Sequence, residues 1–239
     1  MTGADLSVAA ATVLLLVLAV CVHEWAHAYA TTWLGDDTAE LQGRVTLNPL
    51  AHTDPVWTLL IPFLGLAFGG IFVGAGRPVA YNPRKWRPVL PTGHRLRKKW
   101  GEFTVAFAGP LSNIVQALVA GLLLGIAIRI SGLSGAEIRM AVMSPETGSA
   151  ATLVIWALYR MIYINALLAV FNLLPVAPLD GQKVLAPFLP EAWAHRLENL
   201  GSMGFLIVLL IVFRLPEVVS TPISLLQGLC VDLALLIGL

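Results

Sequence analysis

Leu14-Leu15-Leu16-Val17-Leu18-Ala19-Val20-Cys21-Val22-His23-Glu24-Trp25-Ala26-His27-Ala28 sets three ionisable side chains inside an apolar run that reaches from Leu6 to Leu34. A run of that length can cross a bilayer, which takes about 20 predominantly apolar residues. Residues four apart share one face of a helix, so His23 and His27 can bind one ion, and Glu24 stands where it can reach water activated by that ion. The bland alternative is a pair of histidines packed against neighbouring helices. Within a bilayer, however, ionisable groups are costly and mark function. A cleaved N-terminal signal is the other competing reading. No Lys or Arg precedes Leu6, Asp5 is the one charge there, the run is too long for a signal core, and Val20 suits a lipoprotein cleavage site before Cys21 poorly. The stretch reads as a retained transmembrane helix carrying a metal motif.

The rest of the chain agrees with a membrane setting. Of its 239 residues, 57% are hydrophobic and 12% charged, against roughly 25% charged in soluble domains, and the mean hydropathy is +0.80. That balance excludes a soluble metalloprotease, a disordered chain and a secreted disulfide scaffold. A net charge of +1 argues against a nucleic-acid partner. The length fits one domain over 1–239, with a catalytic core over about 6–190 and C-terminal helices over about 200–239. Cys21 and Cys230 lie in apolar stretches at opposite ends and read as free thiols.

Further apolar stretches are Phe103–Ile128, without charge, Thr152–Leu174, interrupted by Arg160, the short Gly204–Leu215, and Val218–Leu239, which holds Asp232. Val56–Val73 is broken by Pro62, Gly65, Gly69 and Gly70 and suits a re-entrant hairpin. Before it, Leu41–Leu47 partly alternates and ends at Asn48-Pro49, which predicts a short strand. Gly74–Gly101 carries eight Lys or Arg and no acid. Such a loop stays on the cytoplasmic side; a specific anionic-lipid site is the weaker reading. The expected fold is an all-α polytopic membrane protein of about five to six transmembrane helices, with a short β-hairpin or re-entrant element between the first helix and the basic loop.

A catalytic zinc takes three protein ligands and keeps a fourth position for water. The extended motif with a third His fails here, because Ala30 and Trp33 occupy its Gly and His positions. Asp36, Asp37 and Glu40 follow the helix too closely. His52 and Asp54 remain open. Asp180 is favoured, as the one acid between Glu146 and Glu191, in a segment broken by Pro175 and Pro178. Freed backbone at membrane depth is tolerated where it lines a wet cavity. The plain alternative for Asp180-Gly181 is a turn.

With these residues in view, the chain resembles the site-2 protease family of intramembrane zinc metalloproteases in its minimal bacterial and archaeal form. The matching stretches are His23-Glu24-x-x-His27, Gly43-Arg44-Val45-Thr46-Leu47-Asn48-Pro49, Arg77-Pro78-Val79 with Asn82-Pro83, Phe107-Ala108-Gly109-Pro110-Leu111-Ser112-Asn113, and Asn172-x-x-Pro175 through Leu179-Asp180-Gly181. They cover about two thirds of the chain. The resemblance implies one zinc per chain on His23, His27 and Asp180, with Glu24 as base and Asn172 near the scissile carbonyl. The sequence departs from the family at Trp57, where a Gly is common, and at Arg77, commonly Lys. No PDZ or CBS domain fits this length.

If the basic loop is cytoplasmic, Phe103–Ile128 runs outward and Thr152–Leu174 returns inward, leaving Asp180 near the cytoplasmic face. The first helix must then also run inward, and Val56–Val73 must dip and return. The expected protein is a multi-pass enzyme of a prokaryotic plasma membrane that cuts a transmembrane protein substrate near the cytoplasmic face. Leu41–Leu47 is one candidate to pair with the unwound substrate; a strand paired only within its own hairpin is the other. Asn172 reads as an oxyanion donor or a helix-end cap, and Gly109-Pro110 with Asn113 as a packing element. A catalytically silent scaffold and a zinc or ion transporter are the competing functions. Retention of Glu24 speaks against both.

Overall fold

The computed structural model describes residues 3–67, 76–86, 98–143, 148–201 and 203–238. Its helices are α1 (Gly3–Trp33), α2 (Thr38–Leu41), α3 (Ile61–Ala67), α4 (Lys98–Ser131), α5 (Gly135–Met143), α6 (Ala150–Asn172), α7 (Asp180–Leu185), α8 (Glu191–Glu198), α9 (Met203–Arg214) and α10 (Pro216–Gly238). Helices α1, α4, α6 and α10 are long and apolar enough to cross a membrane. The expected span at Gly204–Leu215 is helical as α9, but its 12 residues reach only about 18 Å, short of a hydrocarbon core of about 30 Å. Large apolar side chains such as Leu14, Leu18, Leu123 and Leu236 point outward, while Leu16, Ala19 and Val20 face the interior.

Helix α4 is the centre of the bundle and packs against α1, α6, α7 and α10. Its buried face is built from small residues, Ala106, Gly109, Ala117, Ala120, Gly121 and Gly125 among them, which lets helix backbones approach closely where apolar burial gives little drive. A Cβ added at Gly121 would lie 2.7 Å from the Cys230 carbonyl, and one at Gly125 2.6 Å from the Ala234 carbonyl. Gly121→Val should therefore force α10 away and lower the thermal midpoint of detergent-solubilised protein, at about 1–3 kcal/mol for overpacking. An unchanged midpoint would contradict this contact.

The expected β-hairpin is corrected: no strand occurs among the described residues. Leu41 ends α2 instead. Gly43 takes φ +67°, its N–H donates to the Glu40 carbonyl, and the Arg44 N–H donates to Ala39. This is a Schellman closure, and it uses the backbone donors a strand would need. Beyond it, the Thr46 carbonyl accepts from His52 Nε2 and the Leu47 carbonyl from the Cys21 thiol. Asn48 caps the short 3-10 turn Pro49–Ala51. The alternation is present in sequence, but local partners take the ladder.

The broken stretch at Val56–Val73 begins as a π-helical turn, Pro55–Leu60, capped by Asp54 and continued by α3; its residues 68–73 lie outside the described ones, as does much of the basic loop. The Arg77 N–H donates to the His52 carbonyl at 2.9 Å. The buried Arg44 guanidinium bonds to the carbonyls of Ala51, Arg77 and Pro78. Positions 52 and 77, on either side of this stretch, thus stand side by side. Both cysteines are free and buried. Arg160 lies over the Trp156 ring, 5.8 Å from its centroid, a neighbour one helical turn away.

Candidate metal centre

His23 and His27 sit one turn apart on α1, with their side chains turned toward α4 and α7. Both are buried, as is Glu24. Asp180 opens α7, directly after the proline-broken connection from α6. Gly181 beside it packs so tightly that a Cβ would strike the Leu173 and Leu174 carbonyls, which accounts for the Asp-Gly pair better than a turn does.

The three candidate ligand atoms converge. His23 Nε2 and His27 Nε2 are 3.0 Å apart, and Asp180 Oδ2 lies 3.3 Å from the first and 3.2 Å from the second. A tetrahedral zinc with bonds of 2.0–2.1 Å separates its ligands by about 3.3–3.4 Å, so this triangle is near the right size. His27 Nδ1 lies 2.7 Å from the Val105 carbonyl. A carbonyl can only accept, so that nitrogen carries the proton and His27 Nε2 offers a lone pair to the cluster. Two imidazole nitrogens and a carboxylate oxygen, aimed at one point, fit a zinc-type ion.

The neighbouring backbone is shaped to this cluster. A Cβ at Gly109 would meet the rings of both His23 and His27, and one at Gly76 would meet the Glu24 carboxylate. A cavity of about 320 Å³ lies over the three ligands and Glu24. Its walls include Val79 and Tyr81 of the non-helical segment Gly76–Asn82, the end of α6 at Phe171 and Asn172, and Lys183 of α7. A second, more polar cavity of about 820 Å³ shares Tyr81 and Lys183 with it; Lys183 Nζ stands 5.0 Å above the Tyr81 ring.

Asn172 lines the cavity, with its Nδ2 donating to the Leu168 carbonyl at 3.0 Å. His52 and Asp54 lie outside the cluster: His52 is tied to Thr46, and Asp54 caps Val56 and Trp57. The residue missed by sequence reasoning is Asn113. Read as packing, it instead faces His23, its Oδ1 2.6 Å from His23 Nδ1. The available signal was an amide in an otherwise uncharged span. Asn165, buried on α6, is a further amide inside an apolar span, there beside Arg160.

Two histidines on a helix of membrane-spanning length and an aspartate from far along the chain thus form a candidate metal centre. The chain belongs to peptidase family M50, the site-2 protease family. The model for "Peptidase family M50" matches residues 122–213, which hold Asn172 and Asp180 but not the His23–His27 segment. "Putative zinc metalloprotease YwhC" of Bacillus subtilis (strain 168) is 34% identical over 204 residues, covering 85% of this chain and 80% of that protein. "Putative zinc metalloprotease Rip2" of Mycolicibacterium smegmatis is 32% identical over 199 residues, 82% of this chain and 64% of that protein. No solved structure matches the chain significantly.

Proposed function

We propose that this protein is an intramembrane zinc metalloendopeptidase that hydrolyses a transmembrane protein substrate near the cytoplasmic face of a prokaryotic plasma membrane, working as one domain. The observation that carries the reading is the convergence of His23, His27 and Asp180 within 3.3 Å among helices long enough to span. His27 lies six residues before the end of α1 and His23 ten, so the centre is roughly 9–15 Å below that helix end. Lys98 and Lys99 open α4, and Lys183 follows Asp180 on α7. Basic residues gathered at this end support a cytoplasmic assignment. The bond between Arg77 and His52 supports a re-entrant rather than a crossing course for the segment before the basic loop.

Zinc on these ligands would supply a Lewis acid that activates water and polarises the scissile carbonyl. Glu24, buried beside the cluster, takes up the proton of the attacking water and passes it to the leaving amine. Asn172 has two amide hydrogens; one is held by Leu168, and the other is available to a developing oxyanion. The segment Gly76–Asn82 is pinned by Arg44 and, at Asn82, by the Asp36 carboxylate. Four of its residues, Gly76, Pro78, Val79 and Tyr81, line the cavity, so an unwound substrate would lie along this segment rather than along Leu41–Leu47.

The test is cleavage of a transmembrane peptide by purified protein in liposomes, with the products sized by mass spectrometry. The cut is expected within the substrate's membrane segment, in its cytoplasm-proximal third, and chelator should abolish it. Replacing a helix-breaking Gly or Pro near the cut with Leu should slow cleavage by about tenfold, because an intact helix buries its peptide bonds. Cleavage confined to a soluble tail would overturn the intramembrane assignment.

A further inference from the structure

We propose that Asn113 and Asn165 are positioning residues that form a directional amide relay, fixing the tautomer in which His23 binds metal. The relay starts on α6, where Asn165 Nδ2 lies 2.9 Å from the Met161 carbonyl. A backbone carbonyl only accepts, so this end of the amide is the NH2 group, and Asn165 Oδ1 is turned toward α4. Asn113 Nδ2 donates to that oxygen at 2.8 Å. Asn113 Oδ1 is thereby left facing His23 Nδ1 at 2.6 Å, and the nitrogen must donate to it. The proton sits on Nδ1, and the Nε2 lone pair is directed at the ion.

Both asparagines are fully buried, and the three hydrogen bonds run in one sense from α1 through α4 to α6. Turning Asn165 over would bring like groups together at both of its contacts, and turning Asn113 over would set its oxygen against Asn165 Oδ1. His27 receives the same instruction in one step, from the Val105 carbonyl; His23 receives it in three, from Met161. Both ligand tautomers are thus set by backbone carbonyls, and His23 depends on α6 as well as on α4. Outer partners of this kind hold a ligating imidazole in place and raise its basicity.

The inference rests on the metal reading above. Its test is zinc affinity, measured by chelator competition on the full chain in detergent, beside the visible absorption of the cobalt-loaded protein and the thermal midpoint. Asn113→Leu should weaken zinc binding by about 10–100-fold. Asn113→Asp keeps an acceptor for His23 and should restore affinity to within about threefold of wild type. Asn165→Leu touches no ligand, yet it should weaken zinc by about tenfold and alter the cobalt spectrum, because Asn113 is then free to turn over. An Asn165→Leu protein with a lower midpoint but wild-type zinc affinity and cobalt spectrum would reduce the pair to helix packing and overturn the relay. Should that variant fail to fold, equal affinities in Asn113→Leu and Asn113→Asp would overturn it equally. A wild-type protein that takes up no zinc overturns the metal reading itself and the relay with it.

Discussion

Glu24→Gln is expected to reduce peptide-bond hydrolysis by about 10³-fold, within the range of 10²–10⁴ that a positioned acid–base group contributes, while zinc content stays at one ion per chain. Glutamine has the shape of glutamate, so the contact with Gly76 and the buried position on α1 are kept. It cannot accept a proton. Glu24 also lies outside the triangle of His23, His27 and Asp180, so the ligand set is untouched by the change. Single-turnover cleavage of a liposome-embedded substrate, with metal analysis on the same preparation, separates the two effects. The loss should fall on the rate constant and leave substrate binding unaltered. Activity above about a tenth of wild type would move proton transfer to another group. A transporter or a silent scaffold has no use for this carboxylate and would show no such dependence.

The features legible in the sequence were those whose physical logic is local. The His23–His27 spacing needs only the helical period, and its position inside an apolar run makes a functional reading the economical one. Asp180 was visible because it is the one acid between Glu146 and Glu191 and directly follows a segment broken by Pro175 and Pro178. Local alternation misled at Leu41–Leu47, because the same residues satisfy a helix closure at Gly43 whose hydrogen bonds reach back to Ala39 and Glu40. The helices α5 and α8 are too short, at 9 and 8 residues, to stand out as spans. The role of Asn113 lay outside local reach altogether. It depends on the rotation of α4 against α1 and α6, which is set by the small-residue face from Gly109 to Gly125, and on an amide on α6 52 positions away. The side chain over which Arg160 lies, Trp156, is one turn away in sequence, yet only the packed helix singles it out.

Asp180→Ala should release zinc as completely as His23→Ala does, each by more than about 100-fold in affinity, since even an outer partner of a ligand is worth 10–100-fold. Without Asp180, two imidazoles from one helix remain, and a pair of ligands falls short of the three that hold a catalytic zinc. Purified variants, dialysed against a competing chelator and assayed for metal, should fall from one zinc per chain to near none. His52→Ala and Asp54→Ala serve as the contrasting variants. His52 is held by the Thr46 carbonyl and Asp54 by two backbone amides, so both proteins should keep their zinc even where stability drops. Zinc retained in Asp180→Ala and lost in His52→Ala or Asp54→Ala would move the third ligand to the loop after α1 and break the connection between α1 and α7. The expected pattern instead requires the end of α1 and the start of α7 to meet at one depth in the membrane. Only a chain whose first long helix and whose α6 both run toward the same face can bring that about, so metal content in four single variants reads out the topology as well as the site.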